Sequence, residues 1–173
     1  NQGQVRVYEQ FGEGWVQVGG DISGDTNQIP SKSGSALDTN NIGDIVAIGA
    51  EFKSRFNPED TSNMKMNHGN VRVYKYRTIS EDAWNNTSNT TDTSTTDKSI
   101  VITGGDEWSA NKKYWVQLGL DIEGEDSGDG AGSSVSLNTI GDVVALGSPG
   151  NAGRSNQDAT GQARVFRWES DNW

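Results

Sequence analysis

Cysteine is absent from the 173 residues, which excludes disulfides, thiol catalysis and zinc–thiolate sites together. Its absence does not by itself set the compartment, because repeat β proteins can be secreted without disulfides when stacking supplies their core. Histidine occurs once, as His68, in the polar run Met66-Asn67-His68-Gly69, where a solvent-exposed loop residue is expected. A histidine-based triad could therefore form only once, and no glycine–serine nucleophile elbow accompanies it. Carboxylates for glycosidase chemistry are present in number, but spacing in sequence does not set two of them across a sugar. The chain reads as non-enzymatic. Apolar residues make up 31% of it, and no run approaches the roughly 18 residues that span a bilayer. No signal peptide stands at Asn1, and the lack of an initiator methionine is what a processed, excised or partial chain would show. Basic residues are scarce too: 14 Lys and Arg face 24 Asp and Glu, a formal net charge of −10. That field repels nucleic-acid phosphates and anionic lipid, so neither nucleic acid nor membrane insertion is expected.

What is abundant is glycine, 22 residues, and self-similarity. Gly3-Gln4-Val5-Arg6-Val7-Tyr8 returns as Gly69-Asn70-Val71-Arg72-Val73-Tyr74 and as Gly161-Gln162-Ala163-Arg164-Val165-Phe166. Trp15-Val16-Gln17-Val18-Gly19, followed by Asp21-Ile22 and Gly24, returns as Trp115-Val116-Gln117-Leu118-Gly119, Asp121-Ile122 and Gly124. Ile42-Gly43-Asp44-Ile45-Val46-Ala47-Ile48-Gly49 matches Ile140-Gly141-Asp142-Val143-Val144-Ala145-Leu146-Gly147. Three motifs repeated in one order define a repeat architecture.

Within each copy, apolar and polar residues alternate over short runs bounded by Gly, Asn, Asp or Pro, the pattern of strands joined by turns. No comparable helical pattern occurs. The expected fold is all-β, made of antiparallel four-stranded meander repeats. Residues 1–32 hold the outer strands of a first unit, 33–119 a full unit, and 120–173 three strands of a further one, together forming one repeat domain. One such sheet is too small to be stable alone and buries its faces against its neighbours. The full unit carries an insertion at 77–113: seven positions separate Tyr8 from Trp15 but 41 separate Tyr74 from Trp115, a difference of 34. Its centre is a polar Asn/Thr/Ser tract that cannot form a core. Ser99-Ile100-Val101-Ile102-Thr103, beyond that tract, is expected to add an edge strand.

The order of these elements resembles the FG-GAP and integrin-α-like β-propeller repeats, especially a divergent form in large extracellular proteins of marine microbes. The resemblance rests on Trp115–Glu125, Gly132–Leu137, Gly141–Pro149 and Gly161–Phe166, and covers nearly all the chain outside 77–113. It implies that the units are propeller blades, with the Ser-Val-Ser-Leu strand innermost and the Trp-Val-Gln strand outermost. The chain would then be an incomplete propeller, since closed rings use about four to eight blades. Trp173 would begin a missing fourth strand. Such a chain is expected to be a segment of a longer polypeptide or to associate with other copies through its open faces.

The resemblance also implies calcium, bound in the family by a loop of alternating Asp and Asn oxygens ahead of the apolar strand. The corresponding residues are Asp38, Asn40 and Asp44. The loop is about a residue short for that role, Ile42 intrudes, and the other copy has Ser136 where Asp38 stands, so an Asn-rich β-turn is the competing reading. A second acidic loop gathers Asp121, Glu123, Glu125, Asp126 and Asp129, either as calcium ligands or as a solvated charged run. No other cofactor is indicated. Asn85, Asn86 and Asn89 each head an Asn-x-Ser/Thr triplet and are glycosylation candidates. Arg6, Arg72 and Arg164 recur at one position, as a ring for an anionic ligand or as partners of acidic residues on adjacent elements, for example Asp44 and Asp142. Trp15, Trp115, Tyr8, Tyr74 and Phe166 are expected to pack between blades, with the tryptophan N–H groups directed outward; a sugar-stacking platform is the other reading of the tryptophans.

These readings converge on an extracellular or cell-surface protein that acts as a structural, adhesion or protein-interaction module, within a surface protein or an extracellular fibre or appendage. Its expected partners are other blades, of the same chain or of other copies, and extracellular proteins or glycans. A calcium-dependent, lectin-like propeller is the alternative.

Overall fold

The computed structural model describes residues 2–24, 30–55, 64–85, 102–103, 107–153 and 160–173. The first sheets are built from β1 (Gln4–Val5), β2 (Tyr8–Phe11), β3 (Gly14–Gln17) and β4 (Ile22–Ser23). Next come β5 (Ala36–Thr39), β6 (Ile45–Ala50), β7 (Asn70–Thr78), helix α1 (Glu81–Asn85), β8 (Ile102–Thr103), β9 (Lys113–Gln117) and β10 (Ile122–Glu123). The last are β11 (Ser134–Leu137), β12 (Val143–Ser148) and β13 (Gln162–Arg167). The fold is all-β, and the ladders between these strands are antiparallel. Among the described residues the sheets close into neither a barrel nor a propeller.

The central sheet runs β5-β6-β7-β9-β8, with β10 beside the start of β7. The last sheet is β11-β12-β13 and matches its first three strands. In the first unit the long β7 is represented by two short pieces, β1 paired with β4 and β2 paired with β3. Register is kept between copies: Tyr8 faces Gln17 as Tyr74 faces Gln117, and Val5 faces Ile22 as Val71 faces Ile122. The stretch after Gly119 thus turns back onto the second sheet before the third begins. That return strand, Ile22–Ser23 or Ile122–Glu123, is too short to show alternation in the sequence.

The units stack face against face. β6 is buried along its whole length because its alternate side chains enter different cores. Val46 and Ile48 meet Val5, Ile22, Tyr74 and Trp115, with Val7 and Val18 of the first unit packed beside them. Ile45 and Ala47 join Val71, Val73 and Ile122 against Val144 and Leu146 of the third. A strand covered on both faces reads as a continuous apolar run, here Ile-Val-Ala-Ile, instead of an alternating one.

The insertion contains one structure that the sequence pattern did not show, the short helix α1. Ser80 caps it: its hydroxyl accepts from the Ala83 N–H at 3.1 Å and its carbonyl from the Trp84 N–H at 3.0 Å. Glu81 and Asp82 lie in the first turn, where acidic side chains favour the positive end of the helix dipole. A helix this short depends on packing, and the Trp84 ring lies 5.2 Å from that of Tyr114. Ile102 and Thr103 pair with Val116 and Trp115 as an edge strand. Ser99, Ile100 and Val101 of the expected strand lie outside the described residues, as do Asn86 and Asn89; Asn85 is exposed at the end of α1.

Candidate functional site

What recurs among the polar contacts of the described residues is an inter-unit contact, made twice with the same atoms. The Trp115 indole is fully buried and its Nε1–H donates to the Val18 carbonyl of the preceding unit at 2.9 Å. Trp173 repeats the contact one unit later, donating to the Leu118 carbonyl at 2.8 Å. Each ring also leans on an aromatic from the end of the neighbouring strand, Tyr76 or Trp168, at a centroid distance of 5.1 Å. The N–H therefore points across the interface and not outward as expected, because the preceding unit ends in a carbonyl that would otherwise be left unpaired.

The glycine after each Trp-Val-Gln strand is fixed by the same contact. A Cβ on Gly19 would stand 2.8 Å from the Trp115 ring, and one on Gly119 would stand 2.8 Å from Trp168. Gly3 and Gly69 have a related function where the next unit begins. Their Cβ atoms would fall 2.0 Å from the Ser33 carbonyl and 2.2 Å from the Ala131 carbonyl, whereas Gly161 has nothing closer than 3.7 Å.

A polar clasp accompanies each contact. In the second unit Arg72 donates from Nε to Asp121 Oδ1 at 2.9 Å and from Nη2 to Oδ2 at 2.9 Å, while Asn70 Nδ2 and Gln117 Nε2 reach the same carboxylate at 2.6 and 2.9 Å. In the first unit Arg6, Gln4 and Gln17 hold Asp21 in the same way at 2.9, 2.7 and 2.8 Å. The arginine partners are thus Asp21 and Asp121, not Asp44 and Asp142. The latter sit in turns, each accepting from an asparagine four residues earlier, Asn40 or Asn138. Asp142 also lies 3.5 Å from Arg167. The correct signal was present, since an aspartate follows the strand glutamine by four residues in both copies. The return of the chain onto its own sheet could not be seen from spacing.

The two clasps differ in solvent access. Burial would lower the Arg72 pKa, but the charge and hydrogen bonds of Asp121 together with the contact to Tyr74 outweigh it and raise it. Asp21 is held below the ordinary carboxylate range by its hydrogen bonds from Arg6 and Gln17. Burial also raises the Tyr74 phenol.

Among the expected packing residues, Tyr74 and Trp115 are buried in the first interface and Phe166 packs against the second. Tyr8 and Trp15 are not brought to them. Both lie on the open face of the first unit, where Trp15 is 70% exposed.

The candidate calcium ligands are engaged elsewhere and do not converge. Asp38 accepts from the amides of Thr39 and Leu137 at 2.9 and 2.7 Å. The Asn40 side-chain oxygen accepts from the amides of Asp44 and Ile45, each at 3.1 Å, which is an Asx-type turn. In the acidic loop Asp121 belongs to the clasp, Glu123 pairs with Arg55, and Asp129 accepts from the amides of Glu125 and Asp126 and from the Asn151 side chain. Glu125 lies against Asn151 at 3.4 Å, and the Asp126 residue meets Asp129 through its own amide. Among the described residues no group of three or more His, Asp or Glu side chains is placed so that it could hold a metal ion.

His68 is fully buried instead of standing in an exposed loop, because the start of the third unit closes over it through the Ala131 N–H to His68 carbonyl bond of 2.9 Å. Its Nδ1 lies 3.2 Å from the Lys65 carbonyl and its Nε2 3.7 Å from Glu123 Oε1. Burial alone would raise the Glu123 carboxyl, but His68 and Arg55 outweigh it and hold the group below its ordinary range.

Compared with models of known protein families and with curated proteins, the chain matches none. Among the described residues no helix is long and apolar enough to cross a membrane.

Proposed function

We propose that this chain is a non-enzymatic, extracellular repeat segment whose function is to bind other repeat units, as a structural or adhesion module. One observation carries the reading. The same interface is built twice inside the chain, and its surfaces recur, uncovered, at both ends of the stack. On the third unit Val165 is 69% exposed, although its counterpart Val73 is buried in the second interface. On the first unit Trp15 is open where Trp115 is covered. The units are propeller-type blades in this proposal, on the strength of the resemblance to FG-GAP repeats and of the meander order. The Asn-x-Ser/Thr triplets and the polar composition favour the cell exterior. A carbohydrate-binding reading is favoured by the aromatic face of Tyr8 and Trp15, which presents rings to solvent as a sugar platform would.

Native mass spectrometry with any attached sugar retained tests the module. The expected result is a defined oligomer or association with a heavier chain, lost when Val165→Asp puts a charge on the open face. A wild-type chain that stays monomeric and binds no other repeat segment overturns the proposal.

A further inference from the structure

The fourth strands of the first two units differ in what lies beside them. In the central sheet β9 is paired by β7 along one edge and by β8 along the other. In the first unit β2 and β3 are joined by the turn Gly12-Glu13, with Phe11 opposite Gly14, so that connection supplies no segment to lay beside β3. The contrast is between two interior connections of the chain. It concerns an edge, whereas stacked units cover faces, as where Trp115 meets Val18.

The residue before the repeated tryptophan changes with the connection: Gly14 in the first unit, Tyr114 in the second. Sterics do not demand the glycine, since a Cβ there would meet nothing closer than 3.9 Å. Tyr114 is fully buried and ties the described part of the insertion to β9. Its hydroxyl accepts from the Ser109 N–H at 2.9 Å and donates to the Glu107 carbonyl at 3.0 Å. The Trp84 ring of α1 and the Lys112 ammonium lie 5.2 and 5.3 Å from its ring centre. Trp108 adds a second tie, its Nε1–H donating to the Ile79 carbonyl, one residue past β7, at 3.3 Å. An uncovered strand edge presents unpaired N–H and C=O groups on which another chain can add a strand, and a covering segment removes that template.

From this we infer that the insertion is an edge guard anchored by Tyr114: with α1, β8 and residues 107–112 it closes the outer edge of β9 to strand pairing by a second copy, leaving the chain to assemble through its faces. That assembly runs through the faces rests on the interaction-module reading; the closed edge does not.

Two variants open the edge. In one, residues 78–113 are replaced by Gly-Glu, the turn of the first unit. In the other, Ile102→Pro with Thr103→Pro keeps the insertion but removes the ladder donors of β8. Both carry Val165→Asp to silence the open face, and native mass and amide hydrogen exchange are followed against concentration. Each opened chain is expected to double in mass as concentration rises, with exchange across residues 113–117 slowed at least about tenfold on association. The chain with Val165→Asp and an intact insertion should show no such concentration-dependent protection. The proline variant keeps the test decisive if the replacement does not fold. Opened chains that stay monomeric, or that associate without protection at 113–117, overturn the inference, and so does the same protection in the chain with its insertion intact. Association that survives Val165→Asp counts against the face reading instead, because protection at 113–117 still separates opened from closed edges.

Discussion

The first and second units contain the same fourth strand, Trp-Val-Gln followed by Gly, Asp and Ile, yet the two copies occupy opposite environments. Trp115 is completely covered, whereas Trp15 is 70% exposed. The Arg72 and Asp121 side chains are 7% and 4% exposed, against 50% and 33% for Arg6 and Asp21. Distances inside the two clasps are nearly identical, so the local structure does not depend on burial. What differs is whether another unit lies on the face. The motif therefore encodes a surface that another unit can cover, and its energetic weight is set by the neighbour and not by the motif itself.

The sharpest way to break the comparison is to truncate both tryptophans. Trp115→Ala removes a fully buried ring and leaves the Val18 carbonyl unpaired, and is expected to cost about 3–5 kcal/mol. Trp15→Ala removes a ring that faces solvent and should stay within about 0.5 kcal/mol. Urea denaturation of the two variants measures the gap; equal losses would mean that the first unit is covered in solution. The clasps come next. Arg72→Ala strands a buried carboxylate, for about 3 kcal/mol, at the lower end of what breaking a buried pair costs, because Asn70 and Gln117 still donate to Asp121. Arg6→Ala should leave the denaturation midpoint unchanged within error, since solvent replaces an exposed partner.

The same contrast explains what the sequence could and could not disclose. Strands such as Ile45–Ala50 and Gln162–Arg167 were legible because burial on one or two faces leaves a periodic or continuous apolar imprint. The repeat makes the equivalence of Trp15, Trp115 and Trp173 visible in the sequence alone. Contacts made by single polar atoms left no such imprint. The indole direction depends on a carbonyl some 97 residues away in the chain, and the Arg72–Asp121 pair depends on a two-residue return strand. Helix α1 was hidden for a related reason: one capped turn resting on Tyr114 is too short to have a period. His68 looked like a loop residue because its burial is provided by a different unit.

The smallest expected effect sharpens the comparison through pH. Glu123 lies at the join of the second and third units, beside Arg55 and His68, and its folded carboxyl is held below the ordinary value of 4.5. A depressed carboxyl favours the folded state fully above its unfolded pKa, and that contribution is lost as pH falls through the folded value. The stability gap between wild type and Glu123→Gln should therefore be constant above about pH 5 and narrow toward about pH 3. Asp21 is depressed in the same direction by Arg6 and Gln17, but on an open face where solvent and salt screen the interaction. Its Asp21→Asn variant should follow the wild-type acid limb closely, and more so as salt is added. Denaturation curves collected across that range check both variants. A Glu123→Gln gap that does not narrow on acidification would mean that the join is held by packing alone, and a large Asp21→Asn effect would place a covering partner on the first unit.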